Sequence, residues 1–153
     1  MNGIIELFEV ARARTGGTML QYIEEAVIPK EDGSLDIALP VGHLLWATRV
    51  KVHDDDTIDQ IKLYRLTECR FEDYWQGIKA TIYMYLGRME LPGFATILWP
   101  HVSGQMEGLD LREEIMGRWK LRILPKTEEK IKVKLAYMLI DTPLKVRINK
   151  KGG

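Results

Sequence analysis

The sequence predicts an all-β protein, a sandwich or barrel of short antiparallel strands with one or two small helices. Apolar and polar residues alternate along most of the chain, turn-forming residues separate the alternating runs, and few segments have a helical period. The 153 residues, 46% of them hydrophobic and 29% charged, are enough to bury a core without a disulfide or a metal. We therefore expect residues 1–153 to form a single β-rich domain.

Four strands are predicted in the first two thirds of the chain. Residues 43–52 place leucine, tryptophan, threonine and valine on one side and arginine, lysine and histidine on the other. The alternation stops at the acidic residues 54–57 and resumes at 58–66, which predicts a hairpin. Residues 77–87 and 94–100 alternate in the same way, and the glycines and proline between them predict a connecting loop.

The last third of the chain has the clearest alternation. The runs RWKLRIL, KIKVKLAYMLI and LKVRIN occupy residues 118–124, 130–140 and 144–149, and PKTEE and DTP separate them. Three short strands joined by tight turns predict a meander over residues 118–149, followed by a short tail at 150–153.

Helical signals are fewer. Thr18 and Gln21 have the spacing of a capping box, which predicts a helix over residues 20–28. A second short helix is predicted over residues 110–117, where acidic residues precede apolar ones. Residues 4–13 fit a helix or a strand, because different apolar residues in this segment suit each period.

Charge is distributed unevenly along a chain whose formal net charge is zero. Residues 1–117 contain 11 basic and 19 acidic residues, whereas residues 118–153 contain 11 basic and 3 acidic residues. If the three final strands are neighbours, their basic side chains share one outer face. This predicted basic face consists of Arg118, Lys120, Arg122, Lys130, Lys132, Lys134, Lys145 and Arg147, and Lys150 and Lys151 extend it along the tail.

The predicted basic face needs a counter-charge, because like charges opposite each other in a sheet cost about 0.2–1 kcal/mol per pair. Three sources are open: the chain's own acidic residues with solvent, a second copy of the chain, and a polyanion such as nucleic acid. Trp119 and Tyr137 fall on the inward side of their strands, which favours duplex or phosphate contacts over stacking on single-stranded bases.

Aromatic residues among charged ones indicate a second kind of surface. The candidates for contacts between chains are Phe71, Tyr74, Trp75, Tyr83 and Tyr85. Tyrosine and tryptophan are favoured in interfaces because they combine a large apolar area with a polar group. Ordinary core packing is the alternative for each of these side chains.

The run VHDDDTID contains residue types that bind metals, and His53, Asp54 and Asp56 are weak candidates for a metal site. The central glycine and the terminal glutamate of a calcium-binding loop are missing. A solvated turn therefore explains the aspartates better, and no cofactor is expected.

The sequence contains no recognisable catalytic group of residues. Ser103 lies near His101, but the glycine pattern of a nucleophile elbow is absent. Cys69 is the only cysteine, which excludes an intrachain disulfide and a zinc site made of cysteines. We therefore do not expect an enzyme.

The amino-terminal run contains Glu6 and Glu9, so it lacks the uninterrupted apolar segment of a cleavable secretory signal. No run approaches the roughly eighteen apolar residues that span a bilayer. We expect a protein of the cytoplasm or of a virion, with no membrane partner.

These patterns favour a non-catalytic structural protein that assembles with itself or with other protein subunits, such as a component of a virion. The alternative is a module that binds nucleic acid or another polyanion through the predicted basic face. A metal-assisted enzyme centred on His53 and the neighbouring aspartates is the third hypothesis.

Overall fold

The computed structural model describes residues 3–28, 33–127 and 129–142. These residues form two antiparallel sheets that pack as a sandwich, with three short helices, so the predicted all-β sandwich is confirmed. In chain order the elements are α1 (Gly3–Thr15), β1 (Thr18–Ile28), β2 (Leu35–Ala38), β3 (Leu44–Lys51), β4 (Ile58–Arg65), β5 (Glu68–Tyr74), α2 (Trp75–Leu86), β6 (Phe94–Leu98), α3 (Trp99–Ser103), β7 (Leu109–Asp110), β8 (Trp119–Pro125) and β9 (Ile131–Asp141).

The strands of the two sheets are interleaved along the chain. Sheet A has the order β1-β9-β3-β6, with the two-residue strand β7 paired to the start of β3. Sheet B has the order β2-β8-β4-β5, in which β4 and β5 form a hairpin. Eight main strands divided in this way over two sheets have the arrangement of a jelly roll.

The main core lies between the sheets, where the inward side chains of both sheets meet. Its fully buried members include Leu45, Val50, Ile61, Leu63, Leu121 and Leu135. A second, smaller core lies on the outer face of sheet A, where α1 and α2 cover one half of the sheet. In this smaller core the rings of Phe8 and Trp46 meet edge to face, with centroids 4.9 Å apart.

Two helix and strand assignments from the sequence are wrong. Residues 20–28 belong to β1, which pairs with β9 along its whole length, so tertiary pairing overrides the helical spacing of this segment. Residues 77–87 lie mostly in α2, where Trp75, Ile78 and Ile82 form one buried stripe. The ambiguous residues 4–13 are helical and lie within α1.

The segment 110–117 does not form the predicted helix. Its first residue ends β7, and turns follow up to the start of β8. Hydrogen bonds between backbone groups, such as Arg118 N–H to the Ile115 carbonyl at 3.1 Å, stabilise these turns.

The predicted strand neighbours are also partly wrong. The acidic turn 54–57 joins β3 of sheet A to β4 of sheet B, so it is a crossing between sheets and not a hairpin turn. The meander over 118–149 is wrong for the same reason, because β8 lies in sheet B and β9 in sheet A. Its third predicted strand, residues 144–149, and the tail 150–153 lie outside the described residues.

Candidate interaction surfaces

The structure divides the predicted basic face between the two outer faces of the sandwich. On β8, Lys120 and Arg122 alternate with buried residues of sheet B. On β9, Lys132 and Lys134 alternate with buried residues of sheet A. Because the outer faces of the two sheets point in opposite directions, a single basic face over both strands is wrong. The predicted members Lys145, Arg147, Lys150 and Lys151 lie outside the described residues.

Two basic residues on the outer face of sheet B, Arg122 and Lys62, form ion pairs with carboxylates of the same chain. The guanidinium of Arg122 donates two hydrogen bonds to the Asp36 carboxylate, at 2.8 and 3.0 Å, and lies 4.7 Å from the centre of the Tyr64 ring. The hydrogen bond from Arg122 lowers the pKa of Asp36 below its ordinary value. Lys62 lies 3.5 Å from a carboxylate oxygen of Glu72 on the neighbouring strand. Arg122 and Lys62 therefore already have acidic partners within the chain.

The basic residues on the outer face of sheet A are arranged differently. Lys51 of β3 lies directly opposite Lys134 of β9, and Glu25 of β1 lies on the other side of Lys134. We call Lys51, Lys130, Lys132 and Lys134 the sheet A lysine patch. The four lysines line a cleft of about 600 Å³ where β3 ends and β9 begins. In the part of the chain that the structure describes, no carboxylate lies within ion-pair distance of their ammonium groups.

Among the described residues, β1 pairs with β9 alone, and the large exposed apolar side chains of sheet A all lie in β1. β1 is an edge strand, and five of its large apolar side chains are exposed to solvent: Met19, Leu20, Tyr22, Ile23 and Val27. Edge strands in soluble proteins are usually short or carry lysine or proline, but β1 has eleven residues and neither of those residue types. Because the sequence predicts a helix for this segment, the edge strand was not predicted.

The inner side of β1 is only partly covered by sheet B. Tyr22 lies opposite the buried Tyr137 of β9, and the two rings stack with centroids 5.8 Å apart. Tyr22 itself remains 46% exposed, and Leu20 on the same side of β1 is 38% exposed. Burial raises the pKa of Tyr137 well above its ordinary value, and the nearby Glu24 carboxylate adds to this effect. The first half of β1 is thus open on both of its faces.

The five aromatic interface candidates differ in exposure. Trp75 is 1% exposed and belongs to the main core, so its assignment to an interface is wrong. Phe71 is partly buried against Trp99 at a centroid distance of 5.9 Å. Tyr74 and Tyr83 are exposed. Tyr85 is also a candidate; it is half-buried, and its hydroxyl lies 3.3 Å from a ring nitrogen of His101.

The acidic turn after β3 has a structural role that the sequence did not indicate. The carboxylate of Asp55 accepts hydrogen bonds from the Trp75 indole at 2.8 Å and the Gly93 backbone N–H at 2.9 Å. It also lies 3.2 Å from the ammonium group of Lys79, which is 2% exposed. Burial raises the pKa of Asp55, but the hydrogen bonds from these three donors outweigh it, and the net pKa lies below the ordinary value. Asp55 therefore links its own turn to α2 and to the loop before β6.

The weak metal candidates do not converge on a common point. The carboxylate of Asp54 accepts a hydrogen bond from the backbone N–H of Asp56 at 2.9 Å, which is the geometry of a turn-stabilising aspartate. The His53 ring lies 3.9 Å from the other oxygen of Asp54. Across residues 3–28, 33–127 and 129–142, no group of three histidine, cysteine or acidic side chains could hold a metal ion.

The nucleophilic side chains considered above also have structural partners. The Ser103 hydroxyl donates a hydrogen bond to the Gly108 carbonyl at 3.0 Å. The thiol of Cys69 is exposed and lies 3.5 Å from the Phe71 carbonyl. Of the helices that the structure describes, none combines the length and the apolar character needed to cross a membrane.

The fold is similar to that of viral capsid proteins. The STIV MCP has a TM-score of 0.69 to this chain and 15% identity, over 85% of this chain and 43% of that one. A chain in the atomic structure of Sulfolobus Turreted Icosahedral Virus has a TM-score of 0.70 and 15% identity, over 87% of this chain and 42% of that one. The major capsid protein P2 of bacteriophage PM2 has a TM-score of 0.57 and 18% sequence identity to this chain. The match covers 80% of this chain and 44% of the P2 chain.

These similarities are similarities of fold. No protein-family model and no curated protein matches the sequence. The chain spans less than half the length of each of the three structures. It thus has the jelly-roll fold of domains in viral major capsid proteins, at low sequence identity.

Proposed function

We propose that this protein is a non-catalytic structural subunit of a virion-type particle, which assembles with copies of itself or with other protein subunits. The observation that carries the proposal is the strand order of the two sheets, together with TM-scores of 0.69 and 0.70 to structures from one icosahedral virus. The printed names of these similar structures describe a capsid protein and a virus, which supports a structural role over a catalytic one.

The surfaces of the described residues support the same proposal. Sheet A offers a long apolar edge strand, and such an edge pairs readily with another chain. Several polar groups that sequence reasoning weighed as chemical sites serve the fold instead: Ser103 bonds to backbone, and Asp55 links its own turn to α2 and to the loop before β6.

Self-association tests this proposal. We expect light scattering and negative-stain electron microscopy of the purified protein to show larger assemblies as concentration rises, and added salt to weaken contacts between charged groups. A protein that stays a monodisperse monomer at all concentrations and ionic strengths would contradict the proposal.

A second candidate function is binding of a polyanion at the sheet A lysine patch. It is favoured by the cross-strand pair of Lys51 and Lys134, whose like charges an anion would neutralise. Fluorescence anisotropy with duplex DNA should show binding that weakens steeply with salt and is lost in the triple variant K130E/K132E/K134E.

Two basic residues on the other sheet provide a control for DNA binding, with two charge reversals against three. Arg118 and Lys120 are also exposed, but they lie at the sheet B side of the sandwich. The variant R118E/K120E should therefore bind DNA nearly as well as the parent. Equal loss of binding in both variants would indicate non-specific attraction, and no binding by the parent would exclude this second function.

A further inference from the structure

We propose that β1 pairs antiparallel with β1 of a second copy, with Ile23 on the two-fold axis, so that two A sheets join into one continuous sheet. The proposal names a partner and a contact for the self-association in the proposed function, and it rests on that function to this extent. Three observations support it: the exposure of the edge, the self-complementary sequence of β1, and the charges at this register.

Among the described residues, the outer edge of β1 has no partner strand, and apolar side chains beside it are exposed. Ile23, in the middle of the strand, is 50% exposed, and Met19 near its start is 51% exposed. Eleven residues in extended conformation present a row of backbone groups about 37 Å long, since a strand rises about 3.4 Å per residue. A second strand would pair these groups and cover the apolar side chains at the same time.

The sequence of β1 is complementary to itself when read antiparallel about Ile23. Residues at equal distances from the centre face each other across such an interface, and directly opposite side chains point to the same face of the sheet. The facing pairs are Tyr22 with Glu24, Gln21 with Glu25, Leu20 with Ala26, and Met19 with Val27. Over residues 19–27 the aliphatic and methionine side chains therefore oppose one another, and each glutamate opposes a side chain that can donate a hydrogen bond; at the two ends Thr18 faces Ile28.

The charges disfavour registers that are shifted to centre on Glu24 or beyond it. Glu24 and Glu25 are the charged residues of β1, and with Ile23 at the centre neither lies opposite a glutamate of the other copy. Moving the centre to Glu24 would place the two Glu24 carboxylates directly opposite each other, at a Cβ separation of about 4.5–5.5 Å. A shift of the centre to the boundary of Glu24 and Glu25 would oppose Glu24 to Glu25 twice. Repulsion thus disfavours both of these alternatives.

Side chains on the inner face of β1 can form specific hydrogen bonds near the centre of the proposed pairing. Tyr22 and Glu24 both point toward the interior side, as their cross-strand partners Tyr137 and Leu135 show. At present Glu24 has only long contacts of 3.5 Å to the hydroxyls of Tyr22 and Tyr137. In the paired sheet the Tyr22 hydroxyl of the second copy would provide an additional donor for each Glu24.

A charge-exchange experiment at residue 23 tests this register. Ile23→Lys and Ile23→Glu each place two like charges opposite each other on the proposed two-fold axis. Sedimentation velocity should show that each variant alone dimerises at least about tenfold more weakly than the parent, a loss that corresponds to about 1.4 kcal/mol. An equimolar mixture of the two variants should recover dimers, because a lysine then faces a glutamate. Residue 23 is half-exposed, so circular dichroism and thermal unfolding should show both variants folded.

Ile115→Lys is the matched control, since Ile115 is 58% exposed and lies in the turns before β8. This variant should dimerise like the parent. A monomeric parent would overturn the proposal, and so would dimers that persist in both variants or a mixture that recovers none. If dimers persist in both variants but are lost when the chain ends at Thr142, the dimer contact needs residues 143–153, and the pairing of β1 with β1 is overturned.

The proposed particle and the proposed pairing can fail separately. A parent that forms dimers sensitive to residue 23 but never larger species would contradict the particle and support the pairing. Large assemblies that are insensitive to residue 23 would overturn the pairing and support the particle.

Discussion

Replacing Lys79 with methionine removes the charge from the most deeply buried ammonium group of the described chain. The Lys79 side chain is 2% exposed, and its nitrogen donates hydrogen bonds to the carbonyls of Glu90, Leu91 and Phe94 at 3.2, 2.9 and 2.9 Å. The same nitrogen lies 3.2 Å from Asp55. Methionine has a similar length and keeps the apolar contacts, but it satisfies none of these four acceptors.

The expected loss of stability follows from this geometry. Removing one partner of a buried ion pair costs about 3–5 kcal/mol. The lower end applies here, because the Asp55 side chain is 26% exposed and keeps hydrogen bonds from Trp75 and Gly93. We therefore expect K79M to lower the free energy of unfolding by about 3 kcal/mol, or the Tm by about 6–12 °C for a domain of this size.

Denaturant unfolding followed by circular dichroism measures this difference, and Lys62→Met is the matched control. Lys62 pairs with Glu72 at 3.5 Å, but the two side chains are 26% and 61% exposed. An ion pair so close to solvent contributes about 0–1 kcal/mol. If K79M and K62M lower stability by the same amount within error, the three carbonyls and Asp55 do not stabilise the fold through the ammonium group.

Two further predictions concern the same part of the fold. Because the pKa of Asp55 is lower in the folded protein than its ordinary 3.8, its ionised form stabilises the fold above about pH 3.8, and this contribution is lost as the pH falls below that value. Denaturant titrations at several pH values should therefore show that lowering the pH from 5 to 3 reduces the free energy of unfolding less in Asp55→Asn than in the parent. An equal reduction in both proteins would contradict the stabilising role of the Asp55 carboxylate. Gly93 has a φ of 86°, and a Cβ there would collide with the Val52 carbonyl oxygen, so Gly93→Ala should destabilise the protein by roughly 1–3 kcal/mol. Gly87 has a φ of 72°, but the space around an added Cβ is open, so Gly87→Ala should lower the Tm less than Gly93→Ala does. An equal decrease in Tm would show that the protein relieves the collision at residue 93.

Strands with one buried face were predictable from the sequence, because their apolar and polar residues alternate and the apolar ones face the core. The run at 118–124 matches β8, and the run at 130–140 matches β9 within one residue at each end. The pattern could not show which strand lies beside which. A strand in either sheet has the same alternation, so β8 and β9 appeared to be neighbours although they belong to opposite sheets.

The two misassigned segments have spacings that satisfy both periods. In α2, Ile78 and Ile82 are four residues apart, and this interval returns to the same side of a strand and of a helix. In β1, Leu20, Ile23 and Val27 have helical spacing because both faces of this edge strand carry apolar residues. Lys79 was missed for another reason, since its carbonyl partners belong to the loop before β6 and to the first residue of β6, which only the tertiary structure brings close.

The position of β9 has a consequence for how the chain folds. β9 is the last described strand to be synthesised, yet it lies between β1 and β3, which leave the ribosome far earlier. Until β9 arrives, both of these strands expose unpaired backbone along an additional edge, and their correct partner is more than eighty residues away. We therefore expect sheet A to form late and all at once, and a chain interrupted before residue 131 to be prone to aggregation.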